Sequence, residues 1–403
     1  MSQLATIFKA KSKLAALKVI IKIVPAPRPM VLLGAASSLR LCDTISHVGV
    51  RRVLVVTDNV LLKLGMVEPL LQRLAELNIE TRVFSEVTPD PTLAVVEQGL
   101  VMLHSTRCDA VLAIGGGSSI DAAKVIALAA SNHKTPQQLI GILKGKQPSL
   151  PLFVVPTTAG TGSEVTAGAV ISDAVTHQKN LVLDPKVVPL ATAIDPSIMQ
   201  GMPAHITADT GVDALTHALE AWMSEFANAE TDYYAGAAIR MVLQHLPTAY
   251  QNGKDLMARE ALGLAAHYAG LAINQAALGY VHGLAHQLGA YYSVPHGRAN
   301  ALVLPHILAF NQKASEARLA LLARQLDLVT ESTTDTVAAA QLIQHVKQLL
   351  ATLNIPTGLP TLNAADFADI AEKAFTEVHG TYAVPRYMTV AQARRILTAI
   401  KNG

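Results

Sequence analysis

Cysteine is nearly missing from this chain of 403 residues, Cys42 and Cys108 being the only two. That excludes a disulfide framework and a thiolate metal site, and it fits a reducing cytoplasm. Charge is also sparse: 15% of residues are Asp, Glu, Lys or Arg, while 51% are hydrophobic. So little polar surface implies apolar area buried between subunits, and a homodimer or higher homo-oligomer is expected. Neither sign dominates, with 32 basic against 30 acidic residues, so general affinity for nucleic acid is not expected and partners should be small molecules. Acids are absent before Asp43, whereas LATIFKAKSKLAALKVIIKIVP carries Lys9, Lys11, Lys13, Lys18 and Lys22. Lys18 and Lys22 interrupt the apolar run and no A-x-A-like cleavage site follows, so the segment is neither a secretory signal nor long enough to span a bilayer. A membrane-surface helix, a partner-docking helix and an extra helix lying on the domain or on a second subunit are its three readings; the short amphipathic pattern favours the last.

The length exceeds what one core supports, and two domains of roughly 200 residues are the default. RRVLVVTD (51–58), TRVFS (81–85), DAVLAIGGG (109–117) and LPLFVVPTT (150–158) read as strands buried on both faces, with helices at about 66–78, 92–106 and 118–133 between them. Such alternation predicts a parallel sheet in an α/β domain. Beyond about residue 205 the texture turns to long runs of Ala, Leu, Gln, His and Glu, and 206–403 read as all-helical. The stretch IDPSIMQGMP (194–203) has the Pro and Gly of a linker. The expected organisation is a basic extension over 1–29, an α/β dinucleotide-binding domain over 30–203 and an all-helical domain over 204–403.

What is present in place of charge is glycine at one strand end and histidine in one helical stretch. Gly115, Gly116, Gly117 and Ser118 follow the strand DAVLAI and lead into a helix whose unpaired N–H groups suit a phosphate. The full dinucleotide fingerprint is not met, because Ile120 stands at the third glycine; a tight turn without ligand also explains the run. Asp58 closes another strand, where its carboxylate could accept from both ribose hydroxyls, and PTTAGTGSEVT (156–166) supplies hydroxyls at a third strand end. An Asp facing the ribose 2′ position repels a 2′-phosphate, which favours NAD over NADP.

Three Asp-x-x-x-His pairs occur, Asp43/His47, Asp173/His177 and Asp213/His217, against roughly half a pair expected by chance from 16 Asp and 14 His. Only the last lies in a sustained helical pattern, where residues four apart stack on one face. His282 and His286 have the same spacing, and His296 follows Pro295, a residue suited to a new helix's first turn. A turn could return His296 to His282, giving one carboxylate and three imidazoles, a set that suits Fe(II) or Zn(II) better than Mg or Ca. Core histidines remain the other reading. Against it, Asp213 uncompensated in so apolar a region would be costly.

GVDALTHALEAW, the segment from His282 to Asn300, the GGGSxxDxxK block (Gly115 to Lys124), PTTAGTGSEVT and FSEVTPDPT (84–92) together resemble the iron-containing, group III alcohol dehydrogenases. The resemblance spans about residues 30–400. It implies an α/β domain with a parallel, Rossmann-like sheet and an all-α domain, the dehydroquinate synthase-like architecture, with a cleft between them. It implies four metal ligands, Asp213, His217, His282 and His296, with His286 as a nearby catalytic, non-ligand histidine. It further implies nicotinamide-cofactor contacts at Gly115, Gly116, Gly117, Ser118, Asp121, Thr157, Thr158, Thr166 and Lys179, Asp58 at the adenosine ribose, and Ile198 and Gly201 in the hinge segment. The implied activity is hydride transfer between a small primary alcohol or diol and NAD, dependent on one divalent metal, Fe(II) ahead of Zn(II). Glycerol dehydrogenase-like and lactaldehyde reductase-like polyol oxidoreductases are alternatives. The complete ligand set disfavours a metal-independent reductase of maleylacetate type. A dehydroquinate synthase-type lyase would need a basic cluster, and the stretch His282 to Asn300 offers only Arg298. A non-catalytic nucleotide-binding module is the alternative from another class.

Overall fold

The computed structural model describes residues 3–23, 27–174 and 179–403. His177, and with it the Asp173/His177 pair, lies outside the described residues. The chain forms two compact units. One is built, among the described residues, from 27–202 together with Gly253–Gly270; the other combines the N-terminal helix with Pro203–Asn252 and Leu271–Gly403.

Among its described residues the first unit contains nine strands: β1 (Met30–Leu33), β2 (Arg52–Val56), β3 (Glu80–Phe84), β4 (Ala110–Gly115), β5 (Gly141–Ile142), β6 (Leu152–Pro156), β7 (Gly168–Ser172), β8 (Lys179–Leu183) and β9 (Ala191–Ile194). Six of them make an all-parallel sheet in the order β1-β9-β6-β4-β2-β3. The runs of Val, Ile and Leu that suggested strands buried on both faces have that burial in β2, β4 and β6, whereas TRVFS does not, because β3 is an edge strand in which only Phe84 is buried. Leu54, Val56, Val111 and Ala113 enter one core cluster with the helices Leu93–Thr106 and Gly117–Asn132. Val53, Val55, Leu112 and Ile114 enter the opposite cluster with the helices Ser37–His47 and Glu68–Glu76. From β2 the chain steps outward to β3, then crosses back to β4 and continues through β6 to β9. The direction of winding therefore reverses between β2 and β4, and ligands of open α/β sheets gather outside the carboxyl ends of strands at such a reversal.

Two parts of this unit lie outside the strand runs read from sequence. A small sheet, β5-β8-β7, pairs β7 and β8 antiparallel. The segment 253–270 groups with the sheet unit although it lies in the helical half of the sequence. Its glycines account for the close approach. A Cβ at Gly263 would stand 2.6 Å from Ile194, and Gly162, at φ +60, leaves 2.8 Å between its own missing Cβ and the Cα of Gly270.

Among the described residues, those of 203–252 and 271–403 contain helices and no strand. The helix Ala204–Met223 is their centre: from Thr207 onward all but Thr210 are buried. The N-terminal helix Gln3–Ile23 lies on this same unit, with Leu14 buried against Phe226 and Ala383 and the Lys18 ammonium 5.4 Å from the Phe226 ring. No helix among the described residues is long and apolar enough to cross a membrane.

Candidate functional site

On the helix Ala204–Met223, Asp213, His217 and Glu220 stand at i, i+4 and i+7, hence on one face. The helix Tyr280–Tyr292 carries His282 and His286 one turn apart. It ends at Ser293 in the left-handed conformation (φ 54), and Pro295 caps the next helix, His296–Asn311. This short reversal brings the His296 ring to 5.4 Å from the His282 ring, centroid to centroid.

Three imidazole nitrogens face one carboxylate oxygen. The Nε2 atoms of His296, His282 and His217 lie 3.4, 3.7 and 3.9 Å from Asp213 Oδ1. Donors each about 2.1 Å from one tetrahedral ion stand about 3.4 Å apart, so the spacing suits a shared cation. Donor atoms of Asp213, His217 and His282 all fall within 4.8 Å of one another, and these three residues are buried; His296 stands on the more open side, with 38% of its side chain exposed. Burial would raise the Asp213 pKa, but the surrounding His217 and His296 hold it well below the usual carboxylate range. Asn300 supplies a separate test of fit. Its Nδ2 lies 2.7 Å from Asp213 Oδ1, 3.2 Å from His296 Nε2 and 3.3 Å from His282 Nε2, while its Oδ1 is buried without a partner. One amide nitrogen cannot serve all three of these neighbours, whereas a divalent cation would engage the carboxylate and the imidazole nitrogens together.

Glu220 anchors this arrangement from behind. It is buried, and its two oxygens accept from Gly279 N (2.9 Å), Val281 N (2.7 Å) and His282 Nδ1 (2.6 Å). A Cβ at Gly279 would come within 2.8 Å of Glu220 Oε1, so glycine there is what lets the carboxylate in. Burial disfavours charge on His282, but Glu220 and Asp213 together push its pKa up to about 9. Holding Nδ1–H leaves Nε2 as the nitrogen directed at Asp213. Glu220→Gln should therefore lower metal affinity about 10–100-fold, read by competition against a chelator, while the far-ultraviolet circular dichroism stays that of the parent.

The sheet unit collects most of the residues expected around a nucleotide at the carboxyl ends of β2, β4 and β6. Gly116 caps the helix Gly117–Asn132 and has no side chain to accept from its first N–H groups. Added Cβ atoms at Gly115 and Gly117 would meet Ser119 at 2.5 Å and Thr161 at 2.7 Å, so close packing, not positive φ, requires these glycines. Asp58 follows β2 and spends one oxygen, Oδ1, on capping the next short helix through Val60 N (2.8 Å) and Leu61 N (2.9 Å). Thr157 and Thr158 follow β6, Thr157 being buried. Ser118 accepts from Asp90 N at 3.3 Å.

Most of the other expected contacts have partners within the protein. Both oxygens of Asp121 are engaged, by the Ser163 hydroxyl and by Val170 N (2.8 Å), so this carboxylate fastens the loop after β6. Thr166 Oγ1 receives the fully buried Lys124 ammonium at 3.1 Å, which also donates to Gly168 O (2.7 Å) and Thr166 O (2.8 Å). Burial lowers the Lys124 pKa to about 8. Lys179 pairs with Asp90, Ile198 packs on the core face holding Leu41 and Leu112, and Gly201 has open space around it. Sequence reasoning missed Glu220, Asn300 and the partners of Lys124. Glu220 at i+7 from Asp213 and Asn300 at i+4 from His296 carry a helical-spacing signal that would have found them.

Residues 28–196 match the family described as iron-containing alcohol dehydrogenase, and residues 207–401 match the C-terminal part of the Fe-containing alcohol dehydrogenase family. The chain is 34% identical to the NAD-dependent methanol dehydrogenase of Bacillus methanolicus, over 92% of this chain and 97% of that protein. It is 39% identical to the 1,3-propanediol dehydrogenase of Citrobacter freundii, over 82% and 86%. The solved alcohol dehydrogenase from Oenococcus oeni superposes with a TM-score of 0.89 at 33% identity, covering 93% of this chain and 98% of that one. Matches that run through both the sheet unit's sequence and the helical half, at identities above 30%, place the chain in the iron-containing alcohol dehydrogenase family.

Proposed function

We propose that this chain interconverts a small primary alcohol or diol and its aldehyde with NAD as hydride carrier, alcohol and NAD+ giving aldehyde, NADH and a proton. The observation that carries this reading is the convergence of three Nε2 atoms on Asp213 Oδ1. In it, Asp213, His217, His282 and His296 hold one divalent ion, Fe(II) ahead of Zn(II), and that ion when bound supplies Lewis acidity at the alcohol oxygen. The chain's own residues orient the donors and carry the proton. Glu220 fixes His282, and His286, 13% exposed, takes the hydroxyl proton and returns it to solvent. Small alcohols fit because two relatives are named for methanol and 1,3-propanediol. NAD fits because one of those relatives is named NAD-dependent and because Asp58 ends β2, where a carboxylate disfavours a 2′-phosphate.

Arg298 speaks against a lyase acting on an anionic substrate, since its Nε donates to Asp209 Oδ1 at 2.7 Å. A homo-oligomer is supported by the edge strand β1, where Met30, Val31 and Leu33 are exposed apolar side chains beside an unpaired strand edge. Cys42 and Cys108, free and buried, accord with the reducing cytoplasm. The test is to purify the protein without air, determine its metal by elemental analysis, and follow NADH absorbance with methanol, ethanol, 1-propanol, 1,3-propanediol and glycerol. Turnover with a short alcohol, dependent on metal and on NAD more than NADP, is expected. Nucleotide binding without turnover on any alcohol or aldehyde would favour a binding module, and preference for glycerol a polyol enzyme.

A further inference from the structure

His282 and His286 sit one turn apart on the same helix, and each is gripped at Nδ1 by a glutamate. For His282 the glutamate is Glu220, and its other nitrogen meets Asp213. For His286 it is Glu377, 91 residues later in sequence, whose Oε1 lies 2.7 Å from His286 Nδ1. Among the described residues, Glu377 is the carboxylate within reach of His286. Its ring lies against the neighbouring donors, 5.2 Å from the His296 ring in a stacked arrangement and 5.8 Å from the His282 ring.

Glu377 is itself held in place. It stands at the end of the helix Phe367–Val378, and the hydroxyl of Tyr382 donates to the same Oε1 at 2.8 Å. Burial and the adjacent carboxylate keep the Tyr382 phenol far above its usual range, so its hydroxyl stays protonated and acts only as a donor toward Glu377. With the phenol donating to that oxygen, the remaining proton on the axis must come from His286 Nδ1.

We infer that Glu377 is a positioning residue, which fixes His286 in the Nδ1–H tautomer and one ring orientation so that Nε2 is the nitrogen exchanging a proton with the substrate hydroxyl. The inference rests on the reading of His286 as the proton carrier. In the forward direction the hydroxyl proton moves to Nε2 while the carbinol carbon gives its hydride, with both electrons, to the nicotinamide. The resulting imidazolium keeps Nδ1–H on Glu377 and releases the Nε2 proton to water. A ring free to rotate would instead present either nitrogen, half of the time the wrong one.

A double-substitution cycle tests this in the metal-loaded enzyme, using Glu377→Gln, Glu377→Asp, His286→Asn and the pair Glu377→Gln/His286→Asn. The measurements are kcat, KM for alcohol and for NAD, and metal per chain. Glu377→Gln should lower kcat about 10–100-fold with both KM values and metal content unchanged. Glu377→Asp, which keeps the carboxylate, should recover part of the loss. On the His286→Asn background Glu377→Gln should cost nothing further, because it acts through the ring already removed. Additive losses, or a kcat that falls only in step with metal content, overturn the inference. A wild-type kcat for Glu377→Gln beside a crippled His286→Asn sinks Glu377 alone, whereas full kcat in His286→Asn sinks the reading of His286 and this inference together.

Discussion

His282→Ala is expected to yield a folded protein that retains neither metal nor measurable alcohol turnover. The substitution removes one of the three Nε2 atoms around Asp213 Oδ1, that of the ring Glu220 holds at Nδ1. Losing an outer partner of a metal ligand costs about 10–100-fold in affinity, and losing a ligand from so small a set must exceed that. Turnover should fall on the order of 10³-fold or more, since stabilising charge at the reacting oxygen is commonly the largest catalytic contribution. Glu220 would keep its two backbone donors and lose its third, so a lower melting temperature accompanies the change. The check is therefore metal per folded chain, by elemental analysis after gel filtration, beside NADH absorbance. Retention of full activity by the variant, or by wild-type enzyme stripped with a chelator, would show that the chemistry does not use this cluster.

Gly297→Ala should be nearly as damaging, for a steric reason. A Cβ at Gly297 would fall 2.3 Å from Asp209 O and 3.2 Å from Asp209 Cβ. Backbone of the buried helix Ala204–Met223 cannot turn aside as a flexible side chain could. The start of the helix His296–Asn311 must move instead, and with it His296 on one side and Arg298, paired with Asp209, on the other. Overpacking of this kind costs about 1–3 kcal/mol, and a displacement of about 1 Å at a reacting group can cost 10²-fold in rate. Thermal melting and kcat should both fall. Gly289→Ala makes the comparison: its added Cβ meets Val294 O at 3.5 Å, an ordinary contact, and a near-parental melt is expected. Equal behaviour of the two variants would mean that the helix crossing at Gly297 has more slack than its geometry implies.

The parallel sheet is legible in the sequence because doubly buried strands need uninterrupted Val, Ile and Leu, and β2, β4 and β6 have them. β5, two residues long, and β8, which opens on Lys179 and Asn180, have no such signal, so the small sheet is invisible until tertiary pairing is known. The grouping of Asp213 with His217 follows from helical spacing, and Pro295 marks the reversal that returns His296. Asp121 is the instructive contrast. Its motif places it beside the glycine turn, but its hydrogen bonds are to Ser163 and Val170, more than 40 residues away, which no local pattern encodes. Glu377 is illegible for the same reason.

The outermost strand on one side of the sheet, β1, pairs in parallel with β9, Met30 opposite Ala191 and Leu33 opposite Ile194. The first strand to leave the ribosome must thus wait for one about 160 residues later, roughly 10–30 s at common rates of synthesis. Throughout that interval MVLL is an apolar segment with two unsatisfied edges, and long-range parallel pairing is slow to form even when both partners exist. The later segment 253–270, which completes the same unit, extends the delay. Productive folding of this chain is therefore expected to depend on protection of its first strand during synthesis. Overproduction should lose protein to aggregation nucleated there, a loss that lower temperature or added chaperone holdase would reduce.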